Sequence, residues 1–315
     1  MASFVVRWLG SRSDTGQKGW RTAHIYQYQG FWVAAKLIES IIDIQRNFQP
    51  LNTDILLVTT PKSGTVWLKA LAFAIVNRNR YPLISQNPLL NTNPHDLVPF
   101  LEYGVFINNQ IPYISTLPSP RLYASHIPYT SLPESIKNTT DCRIVYLCRN
   151  PKDMFVSLLH FMGKLRPENL GPLLLEQAFE SFCMGAYEFG PYWDHMLGFW
   201  KESLEKPEKV LFLKYEELKE DTNLNLKRIA QFLGCPFTVK EDEDGVVDEI
   251  LEMSSFESLK NLEVNKTGKL MARGDNAVFF RKGKVGDWVN QLSPEMAEQL
   301  DKLTEEKLCG SGLSF

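Results

Sequence analysis

Four short apolar runs stand out along the chain: DILLVT (54–59), RLYAS (121–125), RIVYLC (143–148) and KVLFLK (209–214). Each is too short for a helix, rich in branched or aromatic residues and bounded by polar ones, so each predicts a buried strand. Helical patterns follow several of them. TVWLKALAFAIVNR (65–78) begins within a few residues of the first run. PKDMFVSLLHF (151–161) opens on a proline suited to a first helical turn, and NLKRIAQFLG (225–234) closes on a glycine stop. Strand, short loop and helix in repetition predict an α/β fold: a single P-loop-like domain with a central parallel sheet flanked by helices. Right-handed crossovers would bring every strand's C-terminal end to one edge, the edge at which open α/β sheets bind ligands.

The segments between these elements are less regular. Residues 81–120 carry many prolines and asparagines, as in YPLISQNPLLNTNP and QIPYISTLPSP, and predict long irregular connections over a site. Residues 1–20 predict a loose arm ahead of one domain spanning 21–315. EDEDG (241–245) reads as a solvated loop, and GKLMARGDNA (268–277) as a flexible segment.

The predicted strands are each succeeded by chemically pointed residues. After the first come Thr-Pro-Lys62-Ser63-Gly64-Thr65, after the second His126, after the third Arg149 and after the fourth Tyr215. A lysine, a histidine, an arginine and a tyrosine would therefore meet on one edge. Gly64 allows a close backbone approach to a phosphate, Ser63 and Thr65 offer hydroxyls, and the following helix offers free N–H groups. The loop is not a Walker loop, because Lys62 precedes Gly64 instead of following it. The competing reading is an ordinary helix N-cap at Ser63 or Thr65. Arg149 and Ser157 suggest a second anion site, against a simple Arg149–Asp153 pair. RKGKVGDW (281–288) adds Arg281, Lys282 and Gly283, against a solvated basic turn. A neutral His126 could take a proton from an acceptor hydroxyl, although a lone histidine is more often structural. Aromatic residues in the connections, Trp32, Tyr113 and Phe161 among them, could wall an apolar pocket.

Composition narrows the class without naming the chemistry. A net charge of -3 over 315 residues argues against a broad nucleic-acid-binding face. The five cysteines form no C-x-x-C pair and are expected to be reduced thiols. No secretory signal or membrane-length apolar run is visible, so a cytoplasmic protein without membrane contact is expected.

PKSGT-x-W resembles the 5′-phosphosulfate loop of the soluble sulfotransferases, RNPKD-x-x-x-S resembles their 3′-phosphate site, and RKGKVGDW resembles their C-terminal signature. The resemblance runs from about residue 19 to the end. GWRTAHIYQYQGFW, NPLLNTNP, SHIPY and GPYWDH resemble the plant branch, which sulfates flavonoids, steroids, hydroxyjasmonates, desulfoglucosinolates and related metabolites. It implies 3′-phosphoadenosine 5′-phosphosulfate (PAPS) as donor, 3′-phosphoadenosine 5′-phosphate (PAP) as product and no required metal. It places Lys62, Ser63, Gly64, Thr65, Val66 and Trp67 around the 5′-phosphosulfate and adenine. It places Arg149 and Ser157 at the 3′-phosphate, with Arg281, Lys282 and Gly283 as its second grip. Tyr215, Ser254 and Phe256 fall in the adenine environment, His126 at the catalytic base and Lys62 at the leaving phosphate.

The chain departs from the pattern at Thr60, usually Tyr, and at Val66, usually Thr. The animal dimer motif aligns with VNQLSPEMAE (289–298) and keeps only Glu298, so a monomer is expected. The alternatives are a P-loop-type nucleotide-dependent phosphotransferase and a carrier without turnover. Against the first, RIVYLC ends on Arg149 instead of an acidic magnesium ligand. Against the second, a carrier requires neither His126 nor Lys62.

Overall fold

The computed structural model describes residues 16–107, 114, 116–139, 142–270 and 274–315. Three strands come first: β1 (Gln17–Lys18), β2 (His24–Tyr28) and β3 (Phe31–Val33), paired antiparallel. Tyr28 faces Phe31 across a two-residue turn in which Gln29 and Gly30 both have positive φ, 50° and 90°. That geometry matches the right-handed twist of a hairpin and suits glycine. From residue 16 onward the segment expected as a loose arm thus belongs to the domain: β1 pairs with β2, and Trp20 is buried in the core. Residues 1–15 lie outside the described residues.

After helix α1 (Ala35–Asn47) the predicted strands appear as β4 (Ile55–Thr59), β5 (Leu122–Ser125), β6 (Arg143–Cys148) and β7 (Val210–Lys214). They form one parallel sheet in the order β5-β4-β6-β7. The chain leaves β4 for one neighbour and returns to the other, so the topological switch point lies at the C-terminal end of β4. Alternate side chains divide between two apolar layers. Leu56, Val58, Ile144 and Tyr146 face one, while Ile55, Leu57, Val145 and Leu147 face the other. Burial on both faces explains why the strands read as continuous apolar runs.

Helix α2 (Thr65–Asn77) packs on the second layer, and α3 (Pro151–Leu165) and α4 (Tyr192–Glu205) on the first. Helix α5 (Tyr215–Glu220) follows β7 directly. Helix α6 (Thr222–Phe232) starts three residues earlier than its pattern predicted, because the Asp221 carboxylate caps the Leu224 N–H.

The irregular regions prove more ordered than expected. EDEDG is not wholly loop: Val239–Glu243 is a short helix closed by a capping box between Thr238 and Glu241, and Glu241 pairs with Arg78. Within 81–120, Asn87 and Asn93 cap two short helices that each begin on proline, and Leu101–Val105 forms a π-turn. In the segment expected to be flexible, Lys269–Leu270 pairs with Gly274–Asp275; residues 271–273 lie outside the described residues. No described helix is long and apolar enough to cross a membrane.

Candidate active site

The parallel register sets the strand ends side by side: Val58 pairs with Ser125, Thr59 with Leu147, and Cys148 with Lys214. Above them opens a cavity of about 350 Å³ whose wall includes Lys62, His126, Arg149 and Tyr215. The volume falls in the range of small-molecule sites.

The loop after β4 is shaped for an anion. Lys62 and Gly64 both occupy the left-handed region, at φ 71° and 106°. A Cβ on Gly64 would stand 2.8 Å from the Tyr215 ring, so only glycine fits there. The N-cap of α2 is Gly64, which offers no side chain to its first N–H groups. Gly64, Thr65, Val66 and Trp67 line the cavity, which brings the positive end of the helix dipole to its wall. The ordinary side-chain cap is therefore not built. The Thr65 hydroxyl instead bonds Thr59 Oγ1 at 2.6 Å. Ser63 is turned away: it is fully buried, absent from the cavity wall and bonded to Thr60 Oγ1 at 2.6 Å. Thr60, a departure from the resembled family, thus occupies the hydroxyl that the sequence offered to a phosphate. Val66 and Trp67 line the cavity from the first turn of α2.

His126 is held at three points. Its Nδ1 lies 2.6 Å from the Thr59 carbonyl, its N–H donates to Glu102 Oε1 at 2.7 Å, and its carbonyl accepts from His195 Nε2 at 2.9 Å. A carbonyl only accepts, so Nδ1 carries a proton, and in the neutral form of the ring Nε2 is the basic nitrogen. That is the tautomer a general base needs. Burial holds the His195 pKa down at about 4, so His195 is neutral.

Lys62 stands at the crossing of the anion loop and the basic segment. Its Nζ donates to the Phe279 carbonyl at 3.3 Å and lies 4.4 Å from the Phe161 ring centre. Burial, followed by the positive charges of Arg149, Arg281 and Lys164, lowers its pKa from 10.5 to about 7. An anion placed among these cations would reverse that shift.

Arg149 leans over the Tyr215 ring at 4.6 Å and donates to the Lys284 carbonyl at 2.6 Å. Its contact with Asp153 is longer, 3.6 Å. Asp153 is occupied otherwise: its carboxylate accepts the Gly286 N–H at 2.7 Å and the Trp288 N–H at 3.2 Å. The basic segment is thereby fastened to α3, beside Ser157, which also lines the cavity. Arg281 and Lys282 both reach Asp287, at 2.5 and 2.7 Å. Burial opposes that carboxylate's charge, yet the bonds from Lys282 and Arg281 bring its pKa down to about 2. Gly283 has φ 64°, and a Cβ there would stand 2.5 Å from the Phe256 ring. The Nε atoms of Arg149 and Arg281 are buried without partners among the described residues. A buried guanidinium with an idle donor suits a ligand bringing acceptor oxygens.

Phe256, Trp67 and Tyr215 give the cavity an aromatic end, with Trp67 and Tyr215 edge to face at 5.4 Å. Ser254 is fully buried off the cavity, and the neighbouring Ser255 lines it instead. At the other end stand Phe161, Phe100, Tyr103 and the ion pair Arg21–Glu188 at 3.2 Å. Trp32 does not line the cavity; its backbone pairs with Phe189 and Gly190. Tyr113 lies outside the described residues. Sequence reasoning missed Glu102, Tyr192 and His195, which hold backbone groups of the site, and offered Asp153 only as a partner for Arg149. The only local signal was a glutamate within the otherwise apolar VPFLEYGVF.

Residues 52–312 match the sulfotransferase domain family. The chain belongs to the sulfotransferase family. Like its relatives it is a transferase. It is 51% identical over 302 residues to Cytosolic sulfotransferase 15 of Arabidopsis thaliana, covering 95% of this chain and 84% of the relative. It also resembles the crystal structure of an Arabidopsis thaliana putative steroid sulphotransferase, with a TM-score of 0.76, 44% identity and coverage of 97% and 94%. A mouse sulfotransferase, SULT7A1, solved with PAP bound, superimposes with a TM-score of 0.70 at 27% identity, covering 91% and 95%. In this sulfotransferase the anion loop, His126 and the basic segment all lie within the matched residues.

Proposed function

We propose that the protein moves a sulfuryl group from PAPS to a hydroxyl of a small apolar acceptor, of the flavonoid, steroid or phenolic kind, in the cytosol. The observation that carries this is the His126 tautomer: its Nε2 lone pair belongs to a ring on the wall shared by Lys62 and the open N-terminus of α2. The PAP found in the mouse neighbour and the cytosolic naming of the plant relative support the donor and the compartment.

The residues present fit the donor. The idle Nε atoms of Arg149 and Arg281 would receive its 3′-phosphate, with Ser157, Lys282 and Gly283 beside them. Trp67, Tyr215 and Phe256 would hold its adenine, and Gly64, Thr65 and the first N–H groups of α2 its 5′-phosphate. When bound, PAPS supplies the sulfuryl group and departs as PAP. His126 Nε2 accepts the proton of the acceptor hydroxyl, raising its nucleophilicity as attack begins; a positioned base contributes about 10²–10⁴-fold. Lys62 Nζ holds the negative charge that gathers on the departing 5′-phosphate oxygen, a role of the oxyanion-hole kind. The apolar end around Phe100, Tyr103 and Phe161 orients the acceptor and excludes water.

The test is transfer of label from radiolabelled PAPS to a panel of phenols, flavonols, hydroxysteroids and desulfoglucosinolates, with and without EDTA. Transfer that persists in EDTA is expected. Absence of transfer to any acceptor, together with magnesium-dependent ATP turnover, would replace this reading with a phosphotransferase.

A further inference from the structure

His126 and Arg149 share an uncommon backbone problem. Each is the first residue beyond the end of its strand, β5 at Ser125 and β6 at Cys148, and each is buried. Their peptide groups have left the sheet ladder yet cannot reach water, so they need other partners. One helical turn supplies most of them. The Arg149 N–H donates to the Tyr192 hydroxyl at 3.0 Å, and that hydroxyl donates back to the Arg149 carbonyl. A single phenol thus acts as donor and acceptor to one residue, in place of a ladder strand. Three residues along α4, on the same face, His195 Nε2 donates to the His126 carbonyl at 2.9 Å. The Tyr146 hydroxyl lies 3.1 Å from His195 Nδ1 and supplies the donor that fixes this tautomer. Tyr192 and His195 are fully buried and line no part of the cavity. They can act only through what they hold, which for the Tyr192 hydroxyl includes the Ser63 side chain in the loop after β4.

We propose that the first turn of α4 is a positioning strut, in which Tyr192 sets the attitude of Arg149 and His195 sets that of His126. The inference rests on the donor-site reading, in which Arg149 meets a 3′-phosphate and His126 is the base. It predicts separate consequences for two neighbouring residues of one helix. Tyr192→Phe should weaken PAP binding about tenfold more than it weakens 5′-AMP binding, because only PAP has the 3′-phosphate. In an Arg149→Ala background the same change should add nothing to that ratio. His195→Phe should lower kcat about tenfold or more with PAP affinity intact, and His195→Gln, whose amide N–H replaces Nε2–H, should recover most of the rate.

The experiment is calorimetric binding of PAP and of 5′-AMP to each variant, with single-turnover rates and melting temperatures measured alongside. Equal losses for PAP and 5′-AMP in Tyr192→Phe, or full additivity with Arg149→Ala, would overturn the strut. So would parallel losses of kcat and PAP affinity in both variants, which is what a purely structural role gives. The underlying donor reading fails in a different way: the unaltered protein would then not distinguish PAP from 5′-AMP.

Discussion

Binding of PAP should draw a proton from solution at mildly alkaline pH, and Lys62 should be where it goes. In the free protein the Lys62 pKa is near 7, pushed down by burial and by Arg149, Arg281 and Lys164. At pH 8 only about one ammonium in eleven is then charged. A phosphate beside Nζ favours the charged form and raises the pKa again. If the bound value exceeds 9, binding at pH 8 takes up about 0.8–0.9 proton. The charged form favours binding, so affinity is complete below pH 7 and falls as pH rises through it. From pH 7 to 9 the loss is then about 25- to 50-fold, roughly 1.9–2.3 kcal/mol. The phosphate's own ionisation near pH 6 runs the other way, so the window above 7 is the informative one. Calorimetry of PAP binding in buffers of different ionisation enthalpy counts the proton directly. Lys62→Met should bind more weakly at pH 7, take up no proton and show little pH dependence. An unaltered protein that binds PAP at pH 8 with no proton uptake, or with the same uptake as Lys62→Met, would refute the reasoning.

Without ligand, Lys62→Met should melt a few degrees higher at pH 7, checked by calorimetry: the unfolded chain holds a proton there that the folded lysine partly gives up, and removing the group removes that cost. His126→Ala should abolish turnover in the labelled-transfer assay while PAP affinity stays within about twofold. Gly283→Ala should weaken PAP binding at least tenfold by titration, since its φ of 64° is strained for alanine and the new methyl meets the Phe256 ring. Arg121→Ala should cost about 3–5 kcal/mol in urea unfolding, because it strands the buried Asp54 carboxylate that Arg121 Nε meets at 2.7 Å.

The sheet and the edge that carries the cavity were legible in the sequence because both are local. A strand buried on both faces is a run of apolar residues, and the residue after it falls at the edge whatever the rest of the chain does. The predicted strands differ from β4, β5, β6 and β7 by a terminal residue at most. Side-chain partners were not legible, because they come from distant positions. The tyrosine that holds Arg149 is 43 residues away, and the histidine that holds His126 is 69. Ser63 looked available to a phosphate, and only the loop's curl shows its hydroxyl spent on Thr60. Trp32 looked like a pocket wall, but the β2–β3 hairpin sets its backbone against Phe189 and Gly190 instead. In EDEDG the acidic composition masked a capping box whose threonine lies outside the run.

The bond from His126 to Thr59 reaches a main-chain carbonyl, where many catalytic histidines lean on a carboxylate. No codon change at position 59 can delete that carbonyl, so the orientation of His126 is sheltered from single substitutions there. It is also inherited jointly with the anion loop, since the same residue ends β4 and starts the turn to Lys62. A lineage could drift widely around the acceptor end and change what is sulfated. It could not easily tilt His126 without disturbing the loop that carries Lys62.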